Sequence, residues 1–201
     1  MERRGYHHGN LREALLRAAV ELIAAKGPWG FTVAEAARSA GVSPAAPYRH
    51  FRDRDDLVAD VACQGFERFE RMLATGWNDG RPDPLTAFGN LGKAYLAFAR
   101  SEPAYYSAMF EAGVPLDGSV PLNAASDRSF GILRAAAEVV CERLPDGARP
   151  PALMLALHMW ALAHGVASLF ARGDGARRKL PMSPEDLLEA GWLVYLQGLG
   201  F

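Results

Sequence analysis

The sequence predicts an all-α protein, and two observations support this. Apolar residues recur at three- and four-residue spacing throughout the 201 residues, whereas no strand-length stretch alternates polar and apolar residues with a period of two. Capping residues, prolines and glycines divide the chain into about nine helical segments. Half of the residues are hydrophobic, so a chain of this length can bury the core that such a bundle needs.

Local signals define the first two helices. An apolar stripe predicts a helix from about residue 10 to 26, with Asn10 as its cap and Gly27 at its end. Thr32 and Glu35 stand three residues apart at the start of the next apolar run, which is the spacing of a capping box. A short second helix is therefore expected to begin there.

A helix-turn-helix is predicted where the second helix ends. Gly41 supplies the turn, and Val42 fills the space between two short helices. Ser43 can cap the following helix, and Pro44 fits its first turn, where a missing N–H costs nothing. Pro47 should remove at most the first hydrogen bond, so a short, rigid helix is expected.

The rest of the sequence predicts six more helices separated by loops rich in glycine and proline. Three of them open with a polar residue followed by proline, at Asp83-Pro84, Glu102-Pro103 and Ser183-Pro184. The predicted helices run over about 55–74, 84–100, 103–112, 122–143, 150–172 and 184–198.

Charge is distributed unevenly along the chain. Residues 1–54 carry nine basic and five acidic residues, a net charge of +4, whereas the remainder carries thirteen and eighteen, a net charge of −5. A basic segment favours binding to a polyanion. The N-terminal part is therefore the candidate nucleic-acid-binding region, and the rest of the chain is not.

A specific motif follows the predicted turn. The chain reads Gly-Val-Ser over residues 41–43 and Tyr-x-His-Phe over residues 48–51. From residue 10 to about 57 it resembles the TetR family of bacterial transcriptional regulators, and Tyr6-His7-His8-Gly9-Asn10-Leu11-Arg12 is similar to a frequent opening in that family. The resemblance implies a helix-turn-helix DNA-binding domain over residues 1–57 and a helical ligand-sensing and dimerisation domain over residues 58–201.

Side-chain chemistry assigns roles within the first domain. Thr32 at a helix start, Tyr48, His50 and Arg54 suit phosphate oxygens, whereas Arg49 suits guanine N7 and O6. Small apolar side chains suit thymine methyl groups, and Phe51 is expected in the core. Arg3 and Arg4 form a basic arm that tracks phosphates or a minor groove. The predicted DNA contacts are Thr32, Ser43, Pro44, Ala45, Ala46, Tyr48, Arg49, His50 and Arg54, the last in a place where the family more often has lysine.

Two faces near the C-terminus predict a dimer of this chain. Trp160, His164 and Gly165 resemble the Trp-x-x-x-His-Gly (WHG) signature of one group of TetR-type C-terminal domains, which implies a four-helix interface between two subunits. A stripe cannot identify what it packs against, so burial in the monomer core stays open as the alternative. The predicted interface residues are Trp160, Ala161, His164, Gly165, Ser168, Leu188, Gly191, Trp192 and Tyr195.

An aromatic set in the middle of the chain is the candidate ligand pocket. The family resemblance implies an inducer pocket among these helices, although such a set also suits plain core. If these residues line a pocket, its ligand should be a small hydrophobic or aromatic molecule. The predicted pocket residues are Phe88, Tyr95, Phe98, Tyr106, Met109, Phe110 and Phe130.

Other classes of protein have little support in the sequence. His158 and His164 are six residues apart and do not share a helix face. The sequence contains no His-Glu-x-x-His, no paired carboxylate with a nearby His, no glycine-rich phosphate loop and no Cys-x-x-Cys. We therefore expect no catalytic residue, metal or cofactor, and an enzyme is the weaker alternative. No apolar run reaches the length of a membrane span and no secretory signal is evident, so a cytoplasmic protein is expected. A structural DNA-binding protein without a ligand switch, and a merely solvated basic face, also stay open.

Overall fold

Eight α-helices make up most of the structure in the described part of the chain, and no strand occurs there. The computed structural model describes residues 11–144, 149–171 and 181–199. The helices are α1 (Leu11–Lys26), α2 (Val33–Ser39), α3 (Arg54–Trp77), α4 (Pro84–Ser101), α5 (Pro103–Phe110), α6 (Val120–Glu142), α7 (Ala152–Ala171) and α8 (Pro184–Gly198). Short 3₁₀ turns occur at Pro47–Arg49, Asn78–Gly80 and Leu116–Gly118. The predicted all-α class is confirmed.

Two predicted helix starts are confirmed by their hydrogen bonds. The Thr32 hydroxyl accepts from the Glu35 N–H at 3.2 Å, and the Glu35 carboxylate accepts from the Thr32 N–H at 2.9 Å. Ser183 and Asp186 form the same reciprocal pair at the start of α8. Each capping box satisfies donors that the first turn of a helix leaves open. The predicted cap of α1, Asn10, lies outside the described residues.

Gly41 ends α2 as predicted. It has a φ of +70°, in the left-handed region that glycine adopts without a steric penalty. Its N–H donates to the Arg38 carbonyl at 3.1 Å, and the Val42 N–H donates to the Ala37 carbonyl at 2.9 Å. This pair of bonds is a Schellman motif, which satisfies the last carbonyls of the helix.

The described residues form two compact units, of which the first contains residues 11–66 and 102–124. In this unit α1 packs against both α2 and α5. Leu15, Phe51 and Leu57 are almost fully buried in its core. Phe51 is thus a core residue, as predicted.

The second unit contains residues 67–101, 125–144, 149–171 and 181–199. Here α4 packs against α7 and α8, and α7 packs against α8. A Cβ atom at Gly92 of α4 would lie 2.9 Å from Leu188 Cδ2 and 3.0 Å from Met159 Sδ. Glycine is therefore what lets α4 approach the other two helices so closely.

The two compact units do not coincide with the two functional domains that the sequence predicts. α5 lies in the predicted sensing domain, yet it packs in the same compact unit as α1 and α2. A packing unit and a functional domain are different properties. The functional boundary near residue 57 stays a prediction.

The ring of Phe69 in α3 lies in the core of the second unit, so a substitution there tests how that core packs. It is fully buried, and its centroid lies 5.0 Å from the ring centroids of both Tyr95 and Phe98. We expect Phe69→Ala to lower the free energy of unfolding by about 3–5 kcal/mol, because it removes a ring and leaves a cavity. Urea titration followed by circular dichroism measures the change. The exposed Glu138→Ala should stay within about 0.5 kcal/mol of the unchanged chain, and a loss below about 1 kcal/mol for Phe69→Ala would contradict this packing.

Candidate nucleic-acid interface

The segment after Gly41 is not the α-helix that the sequence predicts. Ala46 donates its N–H to the Ser43 carbonyl at 3.0 Å, which closes a turn, and a 3₁₀ turn at Pro47–Arg49 follows. The reason is the missing N–H of Pro47, which leaves the Ser43 carbonyl without the bond from four residues ahead that an α-helix requires. The expectation that Pro47 would cost only one bond of a surviving helix is therefore wrong.

The DNA-facing segment, residues 43–50, nevertheless presents its predicted side chains to solvent. Tyr48 is 60% exposed, and Arg49 and His50 are also exposed. Ser43, Pro44 and Ala45 are exposed, and Ala46 is half-buried. Two residues anchor the segment from beneath, since Pro47 and Phe51 are buried. A short apolar support thus holds a segment whose phenol, guanidinium and imidazole are all exposed to solvent.

Thr32 is exposed, but its polar groups are engaged in the capping box. Besides accepting from Glu35, its hydroxyl lies 3.1 Å from Glu35 Oε2. Lys26 Nζ lies 2.7 Å from the other carboxylate oxygen. The hydrogen bond from Lys26, followed by those from Thr32, lowers the pKa of Glu35 to about 2. A contact between Thr32 and a phosphate would have to exchange one of these bonds.

Arg54 lies at the start of α3 and its guanidinium is turned into the protein. Nη1 donates to the Pro28 carbonyl at 2.6 Å, and Nε and Nη2 donate to Asp55 Oδ1 at 3.1 and 2.5 Å. The guanidinium carbon also lies 4.4 Å from the ring centroid of Trp29. The predicted basic arm, Arg3 and Arg4, lies outside the described residues.

Comparison with known protein families covers both parts of the chain. Residues 15–61 match the bacterial regulatory proteins of the tetR family, and residues 88–193 match the tetracyclin repressor-like C-terminal domain. The chain belongs to the TetR family. It is therefore a DNA-binding transcriptional regulator and not an enzyme. The narrower WHG group is not shown by these matches.

Similar proteins of known structure share the fold over nearly the full length. A protein from Rhodococcus sp. RHA1 is 28% identical, with a TM-score of 0.78, and the alignment covers 98% of each chain. The TetR-family transcriptional regulator PfmR from Thermus thermophilus is 18% identical, with a TM-score of 0.69, over 92% of this chain and 98% of that one.

A regulator from Bacillus subtilis (strain 168) resembles this chain in sequence over a shorter stretch. The HTH-type transcriptional regulator YobS is 26% identical over 100 residues. The alignment spans 50% of this chain and 51% of YobS, so only about half the length of that relative is matched.

Several residues predicted at the dimer interface of this TetR-family chain pack inside their own unit. Leu188 and Trp192 are buried, with the Trp192 ring centroid 5.2 Å from that of Phe88. Trp160 is half-buried and its ring contacts those of Phe69, Tyr95 and Phe130, while His164 Nδ1 lies 2.7 Å from the hydroxyl of Tyr95. Ala161 and Gly165 are exposed, and Ser168, Gly191 and Tyr195 are half-buried. Whether any of them meets a second subunit stays a prediction.

An exposed apolar face on α7 and α8 was not predicted as such. Each of its six residues has a large apolar side chain that is at least two-fifths exposed, and all six lie on two helices that pack against each other. Leu193 and Val194 adjoin Trp192 in the sequence, and their apolar character was the available signal. The apolar face consists of Leu153, Met154, Leu157, Leu169, Leu193 and Val194.

The predicted pocket residues fall into two separate groups. Tyr106, Met109 and Phe110 belong to the first unit, and Phe88, Tyr95, Phe98 and Phe130 belong to the second. In the second unit, the void beside Tyr95 and Trp160 has a volume of about 10 Å³, roughly that of one water molecule. The aromatic cluster is thus closed in this conformation.

A larger groove in the second unit is lined by none of the predicted pocket residues. It has a volume of about 240 Å³ and lies between α4 and α8, with Met159 of α7 contributing to its wall. Lys93 and Glu189 form an ion pair of 3.1 Å there. Its other lining residues include Thr86, Gly89, Asn90, Leu188, Trp192 and Leu196.

α7 is distinctive in its composition. It is long and apolar enough to cross a membrane by those two measures alone, with a mean hydropathy of 1.6 over Ala152–Phe170, of which 33% is buried. Among the described residues it is the one helix that is both long and apolar enough.

The described residues contain no group of three His, Cys, Asp or Glu side chains that could hold a metal ion.

The capping box provides a pH-dependent prediction. We expect Lys26→Met to raise the pKa of Glu35 from about 2 toward its ordinary value of 4.5, because the Lys26 hydrogen bond contributes most to the lowering. Since the folded pKa is depressed, this carboxylate stabilises α2 above pH 4.5, and that stabilisation is lost as the pH falls toward 2. Carboxyl NMR titration measures the pKa. Lys93→Met serves as control and should leave Glu35 unchanged, and titration near 4.5 in the unchanged chain would refute the assignment.

Proposed function

We propose that this TetR-family regulator binds a palindromic operator as a homodimer and that a small apolar molecule releases it. On this proposal it acts in the cytoplasm as a ligand-responsive repressor. The observation that carries the DNA-binding part is the outward presentation of Tyr48, Arg49 and His50 on a segment held from beneath by Pro47 and Phe51. Rigid presentation lowers the entropy lost on binding.

Within the DNA-facing segment, different side chains would have different tasks. Tyr48 and His50 donate hydrogen bonds to phosphate oxygens. Such contacts fix the position of the protein on the DNA without distinguishing one base from another. Arg49 reads guanine through two parallel hydrogen bonds, and the exposed surface of Pro44 and Ala45 meets thymine methyl groups. Ser43, Ala46 and Thr32 complete the contact surface from the turn and the start of α2.

A second copy of the chain is the proposed occupant of the apolar face. Palindromic operators require two DNA-facing segments about one helical turn of DNA, ~34 Å, apart. The six exposed side chains of the apolar face offer the self-complementary patch that a two-fold interface needs. Ala161 and Gly165 are exposed on α7 and would let the two copies approach closely. This assembly would bury much of the apolar surface that α7 exposes in one copy.

The proposed ligand is a small hydrophobic or aromatic molecule. The cluster around Tyr95 and Trp160 is built of aromatic rings and includes a hydrogen bond between Tyr95 and His164. Its void of about 10 Å³ holds no such molecule, so binding requires the cluster to open. Opening would displace α3, whose Phe69 contacts the same rings, and would change the spacing of the two DNA-facing segments.

The closed cluster also favours a second candidate function, a DNA-binding protein without a ligand switch. Such a protein needs no room beside Tyr95. Operator affinity measured against a panel of apolar and aromatic compounds distinguishes the two functions, because release requires different ligand affinities in two states. No change with any compound favours the second candidate.

Substitutions in the DNA-facing segment test the roles of its side chains. We expect Tyr48→Phe and His50→Ala to weaken operator binding several-fold and by similar factors on every operator variant, because phosphates carry no sequence information. Arg49→Ala should instead reduce discrimination at one base pair by about 1–3 kcal/mol. Fluorescence anisotropy with single-base operator variants measures both effects. Arg134→Ala, an exposed cation on α6, is the control and should leave affinity unchanged. Base-specific loss in Tyr48→Phe would contradict its assignment to phosphate.

A charge in the apolar face tests dimerisation. Leu193 is 52% exposed, and we expect Leu193→Glu to shift the protein toward monomer, because two copies of the carboxylate would be buried near the two-fold axis. Sedimentation equilibrium measures the molecular mass. Val120→Glu alters a residue that is 83% exposed in the first unit, and it should leave the dimer intact. An unchanged dimer with Leu193→Glu places the interface elsewhere.

A further inference from the structure

Trp29 joins three parts of the first unit. It lies in the loop between α1 and α2, and its Nε1 donates to the Glu111 carbonyl, at the end of α5, at 3.0 Å. A Cβ atom at Gly113, which has a φ of +65°, would lie 3.2 Å from Trp29 Cζ2. One edge of the indole is therefore fixed against the chain that follows α5.

The guanidinium of Arg54 lies over the same indole. Its donors are directed to the Pro28 carbonyl and to Asp55, and the side chain is only 18% exposed. Pro28 immediately precedes Trp29, so one guanidinium holds both the backbone and the ring of this loop to the start of α3. Planar stacking combined with forked hydrogen bonding is a geometry that arginine supports and lysine does not.

These contacts bear on the DNA-facing surface through the loop. The loop leads directly into Thr32, which caps α2, and α2 is only seven residues long. Val33, Ala36 and Ala37 bury its inner face in the first unit, and the loop that precedes Thr32 sets where this helix begins. The turn at Gly41 and the DNA-facing segment follow from the other end of α2.

We propose that Arg54 is a positioning residue for DNA binding and not a phosphate ligand. Together with Trp29 it forms a clamp that holds the start of α2, the start of α3 and the end of α5 in the arrangement that presents residues 43–50. This inference rests on the proposed DNA-binding function of that segment. It replaces the phosphate contact that the sequence predicts for Arg54.

The two roles differ in their response to Arg54→Lys. A phosphate ligand keeps its charge in this variant, so affinity and its dependence on salt should be retained. A positioning residue loses its stacking and its forked hydrogen bonds, so operator affinity should fall about three- to tenfold. The slope of log affinity against log salt concentration should stay that of the unchanged protein, since no phosphate contact is lost.

Substitutions of Trp29, the other member of the clamp, provide a matched test. We expect Trp29→Leu to weaken operator binding as Arg54→Lys does, and Trp29→Phe to restore most of it, because phenylalanine keeps a ring face for the guanidinium. The double variant Trp29→Leu/Arg54→Lys should bind within about twofold of the weaker single variant, since both changes break one interaction. Arg134→Lys is the control for the arginine-to-lysine change.

A spectroscopic measurement tests the clamp without DNA. In full-length protein labelled with 5-fluorotryptophan, the ¹⁹F resonance absent in Trp29→Phe is that of Trp29. We expect this resonance to shift in Arg54→Lys, while the other tryptophan resonances stay in place and report that the variant is folded.

Defined outcomes would overturn the proposal. Retained operator affinity in Arg54→Lys would make Arg54 a phosphate ligand. The same conclusion would follow if Arg54→Gln reduced the salt slope by about one while Trp29→Leu left operator affinity unchanged. An unshifted Trp29 resonance in Arg54→Lys removes the clamp. If the unchanged protein binds no operator, the proposed function is overturned, and the role of Arg54 with it. If it binds an operator but the losses of affinity in the two single variants add in the double variant, only the clamp is overturned.

Discussion

The structure depends on one constraint, which is that α3 must satisfy two hydrophobic cores with a single continuous helix. Leu57 and Phe66 are buried in the first compact unit, and Phe69 and Leu73 are buried in the second. Helical spacing brings such residues to the inward face only while the helix remains regular, so a break in α3 would expose one set or the other. The edge-to-face contact between Phe69 and Tyr95 belongs to the part of α3 that serves the second core.

Helix positions and helix ends could be predicted because each depends on residues within about four positions. The capping boxes at Thr32 and Ser183 and the left-handed Gly41 are complete signals of this kind. The DNA-facing segment is an instructive failure, since its signal was also local. Pro47 removes the bond to the Ser43 carbonyl, and in a helix of two turns that bond is a large fraction of the total.

Contacts between residues distant in sequence could not be predicted in the same way. The two helix faces that contain Trp160 and Trp192 predict burial, but the sequence does not say whether the partner is the same chain or a second copy. In the structure both rings pack within their own unit. The contact between Trp29 and the Glu111 carbonyl links residues 82 positions apart. Arg54 matched a family position that usually holds lysine, and its contacts with the Trp29 ring and the Pro28 carbonyl indicate a different task.

The short DNA-facing segment affects how affinity would be divided on the proposed function. A 3₁₀ turn of three residues, followed at once by the buried Phe51, offers fewer side chains to base edges than a two-turn helix does. Phosphate contacts and a second DNA-facing segment would then supply a larger share of the affinity. Such a protein gains specificity chiefly from the spacing of its two segments. That spacing depends on the elements that hold each segment in place, which makes the residues behind the DNA-facing surface, Trp29 and Arg54 among them, as consequential as those upon it.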